Sequence, residues 1–359
     1  MKSSHTLGTL SDRGHANNFN LIRLLAALLV IVSHSFSLAF SSGEPLSRLT
    51  GGAISLGDLA VDLFFLTSGF LVTKSLLTRA DLLEFVAARA LRIYPGLIVM
   101  VAVTIAVAAL VSPPGFLLHP DTLRYFASTA LLWFPKLTNF QLPGLFVSNH
   151  WPIAVNGSLH TLPFELRMYG VLVALWLVAS LRKRHRPTIM SVAIVALAIA
   201  GAVMRVLLPE GQLSRFVFMF FTGASYFVLR GWIRIHGGLA TALLVIIVVS
   251  AVSRPMFFVI YNLLLGYVLF AASYLPKVWR PRSDVSYGTY IYAFPVQQTI
   301  AALIPSVSWW FMTVIAIPVV LIFAYASWHL VEKPAMRAKR FRVFRSNLSE
   351  SSAARDAPR

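Results

Sequence analysis

Long apolar runs separated by short polar or basic stretches dominate this chain from residue 21 onward. A bilayer core of about 30 Å takes roughly 20 mostly apolar residues per helix. On that ruler ten stretches predict membrane spans: 21–40, 59–77, 95–112, 159–181, 189–208, 213–230, 237–253, 255–275, 285–304 and 309–331. An eleventh apolar stretch, 122–134, is too short to cross unaided and reads as an interfacial or re-entrant helix within a long extracytoplasmic loop, 113–157. The pattern predicts an all-α, polytopic integral membrane bundle of about ten transmembrane helices.

Basic residues orient the spans. With a cytoplasmic N-terminus, inner segments hold 21 Lys and Arg while outer loops hold four, Arg48, Arg124, Lys136 and Arg254. Cytoplasmic loops carry such an excess, so both termini are expected inside. If 122–134 also crossed, the run Arg182-Lys183-Arg184-His185-Arg186 would move outside. Residues 1–18 then form a cytoplasmic tail, 19–334 the transmembrane domain, and 335–359 a basic, disordered tail against anionic lipid. The first span is too long for a signal-peptide core and is expected to be retained.

Composition narrows the function classes. Apolar residues make up 57% of the chain and charged residues 12%, with a mean hydropathy of +0.74. Soluble domains carry about 25% charge, so this surface is solvated by lipid. The net charge of +18 would point to nucleic acid in a soluble protein. Here the charge follows the loops, and no nucleic-acid partner is expected. The absence of cysteine excludes disulfides, thiol nucleophiles and Cys-based metal sites. The loop and interface histidines lack metal-ligand spacing, so no metal is expected.

Ionisable side chains inside spans mark functional sites. Arg23 and His34 lie eleven residues apart on the first helix, nearly three full turns, hence on one face and about 16 Å apart along the axis. Each alone has a plainer role, Arg23 as a snorkelling boundary residue and His34 as a helix-packing donor; the shared stripe favours a site. Asp58 and Asp62 are spaced i, i+4 on the second helix. Asp58 suits a helix cap, and the deeper Asp62 needs a cation or hydroxyl partner. Ser68-Gly69 reads as a packing notch. On the fourth helix, Pro163 should kink or break the ladder, and Glu165 can reach Tyr169 at i+4 or an Arg of another helix. Arg89 and Arg92, at i, i+3 by the third helix, suit either phosphate oxygens or positive-inside anchoring.

These residues carry a resemblance. The chain resembles the membrane-bound acyltransferase-3 family over about residues 18–334. Arg23 and His34 match its Arg-x10-His signature, and Ala60-Val61-Asp62-Leu63-Phe64-Phe65 with Ser68-Gly69-Phe70 is similar to its second-helix block. Arg89 and Arg92 match its Arg-x-x-Arg pair. Ser158–Glu165, Ser286–Tyr292 and Trp328–Pro334 resemble its later segments, in the family's order. Two positions depart: His160 stands where Trp is common, and Ala293 where His is common.

The resemblance implies transfer of an acyl group, commonly acetyl, from cytoplasmic acyl-CoA (a donor substrate, with no tightly bound cofactor) to a hydroxyl of a carbohydrate or lipid-linked glycan. It places the protein among membrane lipids, in a bacterial inner membrane. Arg23, Arg89 and Arg92 are expected to hold the donor's phosphates, and His34 to act as general base or transient acyl carrier. Asp62 or Glu165 would orient it, with Ser68, His160 and Tyr169 as substrate contacts. A proton-coupled transporter or flippase would use similar intramembrane acids, but predicts interrupted helices in inverted repeats, which the sequence does not show. A structural or lipid-binding protein without chemistry would leave the Arg–His stripe and Glu165 without purpose.

Overall fold

The computed structural model describes residues 5–337, apart from 13–16, 40–42, 80, 111, 113, 133–140, 153, 276–277, 279–280 and 282. A strand β1 (His5–Thr6) and short helix α1 (Leu7–Ser11) precede α2 (Phe19–Leu38), α3 (Pro45–Leu49), α4 (Leu56–Arg79), α5 (Leu82–Ala109) and α6 (Pro120–Leu131). Then follow α7 (Leu162–Ser180), α8 (Arg186–Leu207), α9 (Gln212–Val228), strand β2 (Arg234–Ile235), α10 (Gly237–Ser250), α11 (Arg254–Tyr274), α12 (Ser286–Leu303) and α13 (Trp309–Ser327). A 3-10 turn at Gly157–Thr161 leads into α7, and a π-helical turn at Trp328–Glu332 follows α13.

Each of the ten apolar stretches contains a helix, and the described residues are all-α apart from one two-residue strand pair. Among the described residues, seven helices are long and apolar enough to cross a membrane. The difference from ten has a physical origin. Helices α9 and α10 have 17 and 14 residues. Helix α12 has 18 but carries Gln297, Gln298 and three tyrosines, which it can afford because it is wrapped by α2, α5 and α13. Helix α6, at 12 residues, covers the eleventh stretch as far as Leu131; 133 and 134 lie outside the described residues.

Two boundaries differ from the sequence reading. Helix α5 starts well before residue 95, because the Asp81 side chain caps it by accepting from the Glu84 N–H at 2.9 Å; Arg89 and Arg92 therefore lie within a helix, not at its edge. Pro163 breaks nothing. It sits in the first turn of α7, where its missing N–H has no intrahelical partner to lose.

Close packing sets the interior. A Cβ at Gly69 of α4 would overlap the Phe220 carbonyl of α9, and one at Gly223 of α9 would overlap the Leu66 carbonyl of α4. The two helices thus meet backbone to backbone, as small residues permit in membranes. On α12, the Gln297 side-chain amide donates to the Ile31 carbonyl and the Ser35 hydroxyl of α2, both at 2.8 Å. The N-terminal segment docks on the bundle: β1 pairs antiparallel with β2, Leu7 and Leu10 are buried beside Phe70 and Phe270, and Lys74 donates to the Ser11 carbonyl at 2.7 Å. The basic positions Lys136, Lys277, Arg280 and Arg282, and the tail from 338, fall outside the described residues.

Candidate active site

Two cavities lie between α2, α4, α7 and α12. The larger, about 270 Å³, is polar; His34, Ser33 and Ser37 reach it from α2, Asp58 from α4, His160 and Ser158 from the 3-10 turn, and Gln212 and Arg215 from α9. The smaller, about 40 Å³, is lined by Arg23, Phe64, Ser68, Glu165 and Tyr287. Val61 and Tyr290 line both. Arg23 and His34 both face the bundle interior, but they border two abutting cavities instead of the one channel that a shared stripe could line. Tyr290 holds the wall: its hydroxyl donates to the Ser158 carbonyl at 2.5 Å and pairs with the Thr161 hydroxyl at 2.6 Å, while Phe64 packs edge-on against its ring.

His34 is half-buried, and among the described residues no carboxylate bonds its Nδ1 to orient it. Its Nδ1 has no hydrogen-bond partner among the described residues, and its ring stands edge-on to Phe294 at 5.1 Å between centroids. Both expected orienters are engaged elsewhere. Asp62, 1% exposed, accepts from Arg215 Nε at 2.7 Å and Nη2 at 2.9 Å, and from the Tyr261 hydroxyl at 2.8 Å. Arg215 also pairs with Asp58. Asp58 forms a capping box with Ser55: its carboxylate accepts from the Ser55 N–H and hydroxyl, and its own N–H donates to the Ser55 hydroxyl oxygen at 2.9 Å.

Glu165 sits in the first turn of α7. Ser68 Oγ donates to its Oε1 at 2.7 Å, and Tyr169 donates to the same oxygen. Ser68 and Tyr169 lie 3.1 Å apart. These three predicted residues form one hydrogen-bonded cluster, with Ser68 and Glu165 lining Arg23's cavity. His160 lines the cavity of His34.

The arginines divide. Arg92 is held by two acids, Asp284 at 2.6 Å and Glu332 at 3.3 Å, and lies over the rings of Tyr287 and Trp328. Arg23 stands 3.9 Å from the same Asp284. Asp284 also accepts from Ser286 Oγ at 2.6 Å, and Glu332 from Ser327 Oγ at 2.9 Å. Burial pushes the Asp284 carboxyl up, but Arg92 and Arg23 override it and hold it below the usual carboxylate range. Arg89 is not in this clasp, and its Nε lacks a hydrogen-bond partner among the described residues. No three His, Asp or Glu side chains among the described residues are grouped to hold a metal.

Several residues of these sites are not singled out by the sequence, among them Arg215, Tyr290, Glu332 and Asp284. Arg215 carried a signal, being an Arg within a predicted span. Tyr290 and Glu332 lie inside family-like segments, but nothing in their spacing assigns them a role. Asp284 had no local signal at all; only the fold carries it to Arg23 and Arg92.

Fold and site together define a polytopic membrane protein in which a half-buried arginine–carboxylate clasp and an imidazole-bearing polar cavity meet inside one helical bundle. The chain belongs to the acyltransferase-3 family and is an acyltransferase: residues 17–329 match that family's acyltransferase domain. It is 28% identical over 330 residues to an O-acetyl transferase of Shigella phage Sf6, covering 89% of this chain and 95% of the relative. It is also 29% identical over 358 residues to nodulation protein 10 of Rhizobium leguminosarum bv. viciae, covering 91% of this chain and 95% of that protein. No solved structure matches it.

Proposed function

We propose that this integral membrane protein is an O-acetyltransferase that moves an acetyl group from cytoplasmic acetyl-CoA to a hydroxyl of a cell-surface or exported glycan, with His34 as general base or transient acyl carrier. The observation that carries the reading is the juxtaposition of His34's polar cavity with Arg23's cavity across a wall of two side chains. Arg23, Arg89 and Arg92 supply guanidiniums near one end of the bundle, a chemistry suited to the phosphates of a CoA donor. The polar lining around His34, with its serines, Gln212 and Arg215, suits a hydroxyl-rich acceptor. The name of the phage relative agrees with O-acetyl transfer.

The membrane arrangement belongs to the same proposal: ten crossings with both termini cytoplasmic, in a bacterial inner membrane. The pairing of β1 with β2 supports it, since it brings the N-terminal segment to the α9–α10 connection, which the ten-span reading also puts inside. The test is His34→Ala, in cells and in purified protein given isotopically labelled acetyl-CoA. Loss of glycan acetylation with normal expression is expected; full acetylation by the variant would refute the role of His34.

A further inference from the structure

Among the described residues no carboxylate bonds Nδ1 of His34, but it shares its cavity with a second imidazole. His160 sits in the 3-10 turn before α7, with Nδ1 2.8 Å from the Gly157 carbonyl oxygen. A carbonyl can only accept, so Nδ1 carries the proton and Nε2 keeps a free lone pair. The turn is pressed toward His34: a Cβ at Gly157 would come within 2.9 Å of the Phe294 ring, the ring that packs edge-on against His34. The charged and titratable groups facing the pair are Asp58 and Arg215, which hold each other, and Tyr290, which is bonded to Ser158 and Thr161. His160 is thus an oriented imidazole, whereas Nδ1 of His34 is tied to no acceptor among the described residues.

Resting on the reading of His34 above, we infer that the two histidines divide the work: His34 takes up the acyl group, and His160 is the base for the acceptor hydroxyl. In the first step a ring nitrogen of His34 attacks the thioester carbonyl. A C–N bond forms, the C–S bond breaks, and the imidazole N–H proton passes to the departing thiolate. In the second step the acceptor oxygen attacks the acyl carbon. Its proton passes to His160 Nε2, the C–O bond forms and the C–N bond breaks. His160 then returns the proton to the freed His34 ring, leaving an ester, a thiol and both imidazoles neutral.

The experiment uses the purified full chain in lipid nanodiscs with acetyl-labelled acetyl-CoA and no acceptor, followed by a chase with methyl α-glucoside or with hydroxylamine, a nucleophile that needs no base. His160→Asn keeps an N–H toward Gly157 but removes Nε2. It is expected to label normally, to discharge to the sugar about 100-fold or more slowly, and to discharge to hydroxylamine like the wild type. His160→Gln serves the same test if the Asn variant does not fold. Discharge to the sugar at the wild-type rate would overturn the inference. Absence of label on the wild type, with transfer intact and His34→Ala inactive, would overturn it too while leaving His34 as a base. Transfer retained by His34→Ala would instead remove the reading on which both rest.

Discussion

Replacing Arg215 by Met tests how the interior tolerates charge. The Arg215 side chain is 12% exposed and that of Asp62 1%; two guanidinium bonds at 2.7 and 2.9 Å join them. Removing one partner of a buried pair leaves an uncompensated charge and costs about 3–5 kcal/mol. Tyr261 still donates one bond to Asp62 at 2.8 Å, which puts the expectation near the lower end, about 3 kcal/mol. The Asp58 contact adds little, because its carboxylate side is 41% exposed and such pairs contribute at most about 1 kcal/mol. Asp62→Leu combined with Arg215→Met removes both charges at once, so it should cost less than the sum of the two single changes. Unfolding of the purified protein in detergent, followed across the four-member cycle, measures the coupling. A loss below about 1 kcal/mol for Arg215→Met, or strict additivity in the double variant, would refute the argument, since close coupled pairs depart from additivity by about 0.5–3 kcal/mol.

Two further perturbations address the wall and the clasp. Tyr290→Phe removes the hydroxyl that holds the partition to Ser158 and Thr161; it should cost about 1–3 kcal/mol and raise acceptor-free hydrolysis of acetyl-CoA, and unchanged hydrolysis would separate Tyr290 from the passage between the cavities. Asp284 has a lowered folded-state pKa, so its stabilisation is present above the ordinary carboxylate pKa of about 3.9 and is lost as pH falls through the lower folded value; Asp284→Asn should flatten that acid limb of the stability–pH curve, and an unaltered limb would contradict the assignment.

Much of this protein was legible in its order of residues. The apolar runs fixed ten helical stretches because a lipid-solvated helix must hide every backbone polar group along a bilayer-long segment. The i, i+4 spacing of Glu165 and Tyr169 anticipated their hydrogen bond, and Asp62, too deep to stand alone, found both the cation and the hydroxyl it required. The spacing of Arg23 and His34 set them on a common helix face. What the tertiary structure alone decided was partnership. Arg215 lies 153 positions from Asp62 and Asp284 192 positions from Arg92, and no local periodicity records which distant charge closes on which. The same holds for Tyr290, whose place between two cavities depends on α12 meeting the 3-10 turn before α7 and Phe64 of α4. A sequence states what each helix must bury; only packing states against what, because complementary surfaces are selected by shape and charge among many chemically equivalent candidates.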